Sequence, residues 1–161
     1  GKVMIQRLSS SKKVKIVNLI EPYPDKEALQ LAKNFNLDIS NDFEQDVKLI
    51  DFDGIVLCTP NSFHKDQTIL CANLKKHVFC EKPLGVDIKE CIMVEMVAKK
   101  HLDLIIMIGF VRRYDPSYKQ AKKTILENSN IAGEVDDMPV EVTKPKKEQW
   151  IKVRGKSLEG R

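Results

Sequence analysis

The 161-residue sequence has no long hydrophobic run, few aromatic residues and no closely spaced cysteine pair. Its longest apolar run covers residues 104–108, far short of the ~20 residues that a transmembrane helix needs. The first residues lack the apolar stretch and the small-residue cleavage site of a signal peptide. Aromatic residues make up only 6% and are not interleaved with basic ones, which argues against a single-strand nucleic-acid binder. We therefore predict a soluble, cytoplasmic protein that binds neither a membrane nor nucleic acid.

Charge and cysteine content argue against a strongly charged binding surface and against a zinc or redox site. With 27 basic and 23 acidic residues the net charge is +4, and both signs alternate over most of the chain, as on an ordinary solvated surface. The four cysteines are Cys58, Cys71, Cys80 and Cys91, and no two of them have the C-x-x-C spacing of a zinc or redox site. We predict free, buried thiols in a reducing compartment and no metal site.

Hydrophobic periodicity predicts short strands that alternate with longer helices. The predicted strands cover residues 14–20, 37–39, 54–58, 78–80 and 102–108. The predicted helices cover residues 2–8, 25–35, 43–50, 65–76 and 87–100, and a further helix opens at Pro116. This alternation is typical of βαβ units and predicts a doubly wound, parallel α/β sheet of the Rossmann type. The continuous apolar run at residues 55–58 predicts a strand that is buried on both faces.

An acidic residue follows the first predicted strand. Glu21 lies at the carboxyl end of that strand, which is where doubly wound sheets bind ligands. A carboxylate there can accept both hydroxyls of an adenosine ribose, which favours NAD over NADP. Gly1 lies 20 residues upstream, the spacing expected between a G-x-G-x-x-G loop and its ribose-binding acid. We interpret Gly1 as the last glycine of such a loop, although one glycine and one acid also occur at this spacing by chance.

The turn after the strand at residues 54–58 reads Thr59-Pro60-Asn61, with His64 close behind. Thr and Asn side chains can hydrogen-bond a ribose or a nicotinamide amide. An ordinary strand-to-helix turn, with Asn61 or Ser62 as the helix N-cap, explains the same residues. A single histidine is likewise more often a structural hydrogen-bonding group than a catalyst.

A charged pair, Glu81-Lys82, follows the next strand and precedes Pro83. The Lys82 ammonium could lie beside a substrate hydroxyl and stabilise an alkoxide or move a proton. Glu81 could accept a ribose hydroxyl, and a cis peptide before Pro83 would suit the turn. The alternative is that E-K-P is a common surface tripeptide.

Two adjacent arginines, Arg112 and Arg113, follow the last predicted strand. Arginines at a strand end suit an anionic or polyhydroxylated ligand. An ion pair with Asp115 is the more common use for at least one of them.

Three segments together resemble the Gfo/Idh/MocA family of NAD(P)-dependent sugar and cyclitol dehydrogenases. They read D-G-I-V-L-C-T-P-N at residues 53–61 with His64 behind it, K-H-V-F-C-E-K-P-L at 76–84 and G-F-V-R-R-Y-D-P at 109–116. Each segment alone is a weak signal, but their order and spacing are specific. The resemblance covers about residues 1–135, and the arginine segment is most similar to the inositol 2-dehydrogenase branch.

The resemblance implies a function and an assignment of the site. Residues 1–110 would form a dinucleotide-binding Rossmann domain, and residues 111–161 the start or remnant of a substrate-binding α/β domain. Such enzymes use NAD to transfer a hydride between nicotinamide C4 and a hydroxyl-bearing carbon of a cyclitol or sugar. By similarity, Lys82 would be the catalytic lysine that bridges cofactor and substrate, and Arg112 would approach the substrate. The cofactor would be bound by Gly1, by Glu21 and Glu81 at the riboses, and by Thr59, Pro60, Asn61 and His64 beside the nicotinamide.

Parts of the family pattern have no counterpart in this sequence. The family's catalytic D-x-x-x-H segment is absent, since the only histidines are His64, His77 and His101, and residues 136–161 do not align. A Rossmann sheet without its first strand would leave two inner strand edges unpaired, so we expect that residues are missing from this sequence. With a full second domain we expect a homo-oligomer. A non-catalytic, nucleotide-binding regulator and an inactive fragment remain alternatives to the dehydrogenase.

Overall fold

The computed structural model describes residues 1–127, in which helices and parallel strands alternate. The helices are α1 Lys2–Ser9, α2 Lys26–Phe35, α3 Phe43–Leu49, α4 Asn61–Asn73, α5 Ile88–Lys100 and α6 Pro116–Glu127. The strands are β1 Leu19–Ile20, β2 Ile39–Ser40, β3 Gly54–Leu57, β4 His77–Cys80 and β5 Ile106–Ile108. Two further segments in which the sequence suggests strands, residues 140–143 and 150–153, lie outside the described residues.

The described strands form two parallel sheets. β1 pairs with β2, and β4 lies between β3 and β5. The register places Leu57 opposite Cys80, and Cys80 opposite Ile108, so the last residues of β3, β4 and β5 lie side by side. The prediction of a parallel α/β fold is therefore confirmed, and the segments that follow these three strands emerge at one edge of their sheet.

The first and last strands are shorter than predicted by four residues or more. The first contains only Leu19–Ile20, because a strand forms only where a neighbour supplies ladder hydrogen bonds, and β2 pairs with these two residues alone. Val14 and Val17, which the prediction placed in it, are 42% and 43% exposed. The last strand begins at Ile106 instead of residue 102, because the Leu104 N–H donates to the His101 carbonyl and closes a turn.

The core lies on one face of β3, so the prediction of two buried faces is wrong for this strand. Successive side chains of a strand point to opposite faces. Leu57 is 1% exposed, whereas Val56 is 37% exposed. The core cluster contains Val47, Leu57, Cys71, Val78 and Cys80.

Helix α4 begins four residues earlier than predicted. Pro60 is its N-cap and Asn61 is its first residue, so neither Asn61 nor Ser62 serves as the cap. The helix ends at Asn73, and the left-handed backbone at Lys75, with φ 61°, prevents its continuation.

Two other helices begin at aspartate caps, as predicted. The Ala28 N–H donates to the Asp25 carboxylate at 2.7 Å, and the Glu90 N–H donates to Asp87 at 2.8 Å. The capping box at α5 is modified, however, because the Glu90 carboxylate accepts from the Val86 N–H and not from that of Asp87. The Glu90 side chain therefore also holds the loop that precedes α5, through its hydrogen bond from the Val86 N–H.

The chain divides into two compact units, Gly1–Gly109 and a second one that begins at Phe110. In the second unit a short 3₁₀ helix, Val111–Arg113, precedes α6. Tyr118 and Ile125, which the sequence placed on an inner face of α6, are 52% and 51% exposed. The assignment of two functional domains stays a prediction. Within residues 1–127, no helix has the length and apolarity needed to cross a membrane.

Candidate functional site

The turns after β3, β4 and β5 form the candidate site. The Glu81 N–H donates to the Leu57 carbonyl at 2.9 Å, and the Gly109 N–H donates to the Cys80 carbonyl at 2.8 Å. These hydrogen bonds extend the ladder one residue beyond the strands. The segments that begin at Cys58, Glu81 and Gly109 therefore start next to one another, at the edge where doubly wound sheets bind ligands.

The Glu81 side chain packs against Gly109. A Cβ added at Gly109 would lie 3.1 Å from Glu81 Oε2 and 3.2 Å from Phe79 Cζ. Glycine at this position therefore leaves the space that the carboxylate occupies. In the sequence analysis Gly109 ends the last predicted strand and begins the third family-like segment, and no local signal showed that it adjoins the Glu81 side chain.

Lys82 extends into solvent from the same turn. It is an exposed residue, and its backbone N–H faces the Glu81 carboxylate at 3.3 Å. Within residues 1–127, no hydrogen bond or ion pair engages its ammonium group. The Lys82–Pro83 peptide bond is cis, as the sequence analysis allowed. Among the residues that the structure describes, the Lys82 ammonium is therefore an unpaired cation at the carboxyl edge of the sheet.

The turn after β3 is braced from within α4. The Thr59 hydroxyl donates to Gln67 Oε1 at 2.6 Å, and the Phe63 N–H donates to the Pro60 carbonyl. The Asn61 side chain is exposed at the start of α4. Gln67 was not recognised from the sequence, because a glutamine two helical turns into a helix resembles any solvated residue.

His64 lies between the two turns and is 1% exposed. Its Nδ1 is 2.6 Å from the Pro83 carbonyl oxygen, and its Nε2 is 2.8 Å from the Thr59 carbonyl oxygen. Both ring nitrogens are therefore engaged by backbone carbonyls. The structure thus shows the structural hydrogen-bonding role that the sequence analysis gave as the more common one for a single histidine, and a place for His64 beside the nicotinamide stays a prediction.

Helix α1 begins beside the end of β3. A Cβ added at Gly1 would lie 3.8 Å from the Cβ of Cys58. No side chain caps this helix, whose first N–H groups have no partners within the helix. A free helix N-terminus at a strand end is a favourable position for a phosphate group.

The start of α1 is linked to the start of α2. The Lys2 ammonium lies 2.7 Å from the Asp25 carboxylate and 2.5 Å from that of Glu27. These hydrogen bonds raise the pKa of Lys2, and the Lys2 ammonium lowers the pKa of Asp25. Glu21 follows β1 and lies in the segment that leads into α2. Its exposed carboxylate accepts a hydrogen bond from the Tyr23 N–H at 3.2 Å.

Arg112 belongs to the second unit. Its Nη1 is 3.5 Å from Asp115 Oδ2, and its guanidinium lies 4.8 Å from the centre of the Tyr118 ring. The ion pair that the sequence analysis offered as an alternative is therefore present. The predicted contact of Arg112 with substrate stays a prediction.

A surface cavity of about 310 Å³ lies away from these turns. It is lined by residues 47–51, Leu74 and Lys76, which precede β3 and β4. It therefore opens at the amino end of the sheet. Because doubly wound sheets bind ligands at the carboxyl ends of their strands, we place the functional site at the turns and not in this cavity.

The family model for "Oxidoreductase family, NAD-binding Rossmann fold" matches residues 1–110. The chain belongs to the Gfo/Idh/MocA family. The predictions of a Rossmann fold and of NAD as the cofactor are thereby confirmed, and the match covers the turns after β3 and β4 and the first two residues after β5.

Similar proteins place the chain near the inositol dehydrogenases of this family. Inositol 2-dehydrogenase of Salmonella paratyphi B is 35% identical over 101 residues, which are 63% of this chain and 28% of that protein. The crystal structure of myo-inositol 2-dehydrogenase from Lactobacillus plantarum is 35% identical with a TM-score of 0.68, over 79% of this chain and 38% of the other. Scyllo-inositol dehydrogenase from Lactobacillus casei, solved with NAD(H) and scyllo-inositol, is 29% identical with a TM-score of 0.71, and the match covers 81% of this chain and 38% of the other.

The chain spans 28% to 38% of the length of these relatives. The residues described above fit a dinucleotide by their chemistry. The N-terminus of α1 suits a pyrophosphate, and the Glu21 and Glu81 carboxylates suit ribose hydroxyls.

Proposed function

We propose that this chain is the cofactor-binding part of an NAD-dependent oxidoreductase that acts on a hydroxyl-bearing carbon of a cyclitol or sugar. The Lys82 ammonium at the carboxyl edge of the sheet, which has no partner among residues 1–127, is the observation that supports this proposal most strongly. Lys82 lies between the hydrogen-bonded turn after β3 and the Glu81 carboxylate that packs on Gly109, and an ordinary surface lysine does not require such a position. The similarity to inositol 2-dehydrogenases supports the substrate class.

In this proposal each residue has a separate task. The nicotinamide ring of the bound cofactor supplies the group that accepts or donates the hydride. The Lys82 ammonium donates a hydrogen bond to the substrate oxygen and stabilises the negative charge that develops when a hydroxyl loses its proton. Glu81 and Glu21 accept ribose hydroxyls, Thr59, Pro60 and Asn61 bound the nicotinamide side, and the backbone at Gly1 receives the pyrophosphate. Arg112 approaches the substrate.

The first test is a titration of the chain with NADH, followed by nicotinamide fluorescence, with NADPH in parallel. We expect NADH to bind more tightly than NADPH, because the Glu21 carboxylate repels a 2′-phosphate. Glu21→Ala is expected to reduce this preference, whereas Glu44→Ala, an exposed carboxylate on α3, is expected to retain it. Failure of the chain to bind either nucleotide would exclude the proposed function.

The second test separates catalysis from binding. Lys82→Ala in this chain is expected to bind NADH as the unchanged chain does. In the whole protein that contains the chain, the same substitution is expected to lower turnover with inositol by about 100-fold, the usual contribution of a group that positions or moves a proton. Lys100→Ala, at the other end of the sheet, is the matched control. NADH binding without turnover in the whole protein that contains this chain would instead favour the non-catalytic regulator. The cytoplasmic location and the homo-oligomer stay predictions.

A further inference from the structure

His64 is the polar side chain that joins the two turns of the candidate site. It is 1% exposed and lies on α4, the helix that follows the first turn. The carbonyl of Thr59 belongs to that turn, and the carbonyl of Pro83 belongs to the turn that presents Lys82. The ring therefore spans from one turn to the other through contacts of 2.8 and 2.6 Å.

The chemistry of these contacts makes His64 difficult to replace. A carbonyl oxygen only accepts hydrogen bonds, so the ring must supply the hydrogen in each contact. A neutral imidazole has one N–H and can donate a hydrogen bond to the carbonyl of one turn, whereas the imidazolium has two N–H groups and can donate to both. An apolar side chain of similar size would leave both carbonyls without this donor, and a buried polar group that loses its hydrogen bond destabilises the turn to which it belongs.

The position of His64 excludes direct contact with a ligand in this conformation. Both ring nitrogens are occupied, and almost none of the side chain reaches solvent. Its effect on a cofactor must pass through the turns that it holds. Thr59 to Asn61 lie on one side of it and Lys82 on the other, and these are the residues that the proposed function places beside the nicotinamide.

We propose that His64 is a positioning residue, which sets the separation of the Thr59 and Lys82 turns and thereby the nicotinamide half of the cofactor site. The cofactor part of this inference rests on the proposed function. The bridge, by which we mean the two contacts from the His64 ring to the Thr59 and Pro83 carbonyls, does not depend on that function. It also distinguishes His64 from an ordinary core residue, because loss of the bridge should affect one half of the dinucleotide and not the other.

The test uses two substitutions at His64 and one control. His64→Leu removes every N–H that the ring can donate to the two carbonyls, and His64→Gln restores an N–H donor of similar reach. Val94→Ala, in α5 and 2% exposed, removes core packing without touching either turn. Each variant is titrated with NADH and with ADP-ribose, which lacks the nicotinamide.

We expect His64→Leu to weaken NADH binding by about tenfold, since one lost hydrogen bond is worth about 1.4 kcal/mol, and to change ADP-ribose binding by less than about twofold. His64→Gln should recover most of the NADH affinity, and Val94→Ala should not weaken NADH relative to ADP-ribose. Equal weakening of both ligands by His64→Leu, or no weakening of either, would overturn the proposal.

Backbone amide exchange without nucleotide tests the bridge separately. In His64→Leu we expect faster exchange at residues 58–62 and 82–86, and little change in β3 and β4. Unchanged exchange at both turns would overturn the bridge even where NADH binds normally. If the unchanged chain binds no NADH, the proposed function and the cofactor role of His64 both fail, while faster exchange would still support the bridge.

Discussion

The contact between Glu81 and Gly109 allows a sharp test of the cofactor site. In Gly109→Ala the new Cβ would lie 3.1 Å from Glu81 Oε2 and 3.3 Å from Glu81 Cδ. Favourable contacts of this kind lie at about 3.5–4.0 Å, so the carboxylate must move by about 0.4 Å or more. Overpacking of this kind costs about 1–3 kcal/mol of folding stability. We therefore expect a folded variant whose Glu81 carboxylate is displaced from its position over the strand end.

A second glycine provides the matched control. A Cβ at Gly54 would lie 3.2 Å from the Cβ of His77 and 3.3 Å from its carbonyl oxygen, at the amino end of the sheet. Gly54→Ala should therefore lower stability to a similar extent, far from the cofactor turns. For a unit of this size, each kcal/mol lowers the Tm by about 4–8 °C.

The readouts are the Tm and the Kd for NADH. Gly109→Ala should lower both stability and NADH affinity, the latter by about tenfold or more, because a hydrogen bond to a charged group contributes about 1.5–3 kcal/mol. Gly54→Ala should lower the Tm and leave the Kd within about twofold, since no cofactor contact changes. Normal NADH affinity in Gly109→Ala, or equal losses in both variants, would refute the role assigned to the Glu81 carboxylate.

Two further predictions concern the cysteines. Burial raises the pKa of Cys71 to about 12 and that of Cys80 to about 11, so at pH 8 iodoacetamide should modify only the partly exposed Cys58 and Cys91. Because Cys58 adjoins Gly1, NADH should slow its modification and not that of Cys91; protection of Cys91 would contradict the proposed site. The same burial lowers stability at alkaline pH, because the unfolded Cys71 thiol ionises above its ordinary pKa of 9.0 while the folded one stays protonated up to about 12. Urea unfolding should show a loss of about 1.4 kcal/mol per such thiol between pH 8 and 10, and Cys71→Ala should show a smaller loss; identical losses would contradict this explanation.

Local signals in the sequence predicted the helix starts well. Asp25 and Asp87 are recognisable as caps because an N-cap bonds a backbone N–H within the next three residues. The parallel sheet was predictable for a similar reason, since helices of a dozen residues between short apolar runs permit few other connections. Helix α4 was the exception, because Pro60 begins it without a side-chain cap that the sequence could reveal.

Strand lengths were less predictable. A strand needs hydrogen bonds from a neighbour that is distant in the chain, and the paired register begins only at Leu19 in β1 and at Ile106 in β5, where the Ile105 carbonyl just before it accepts from the Val78 N–H. The exposure of Val56 was unpredictable in the same way, because its residue type indicates burial and only the packing around β3 decides which face is covered.

The sequence by itself determined which residues stand at the ends of the strands, because hydrophobic runs, turn residues and their order are local properties. Thr59, Glu81 and Lys82 could be selected on that basis, and the family match covers the segment that holds them. Only the tertiary structure decided what these residues contact. His64 meets a carbonyl 19 residues away, and Glu81 packs on Gly109 from a neighbouring strand. Such contacts depend on register and packing between elements, which no short segment of sequence encodes.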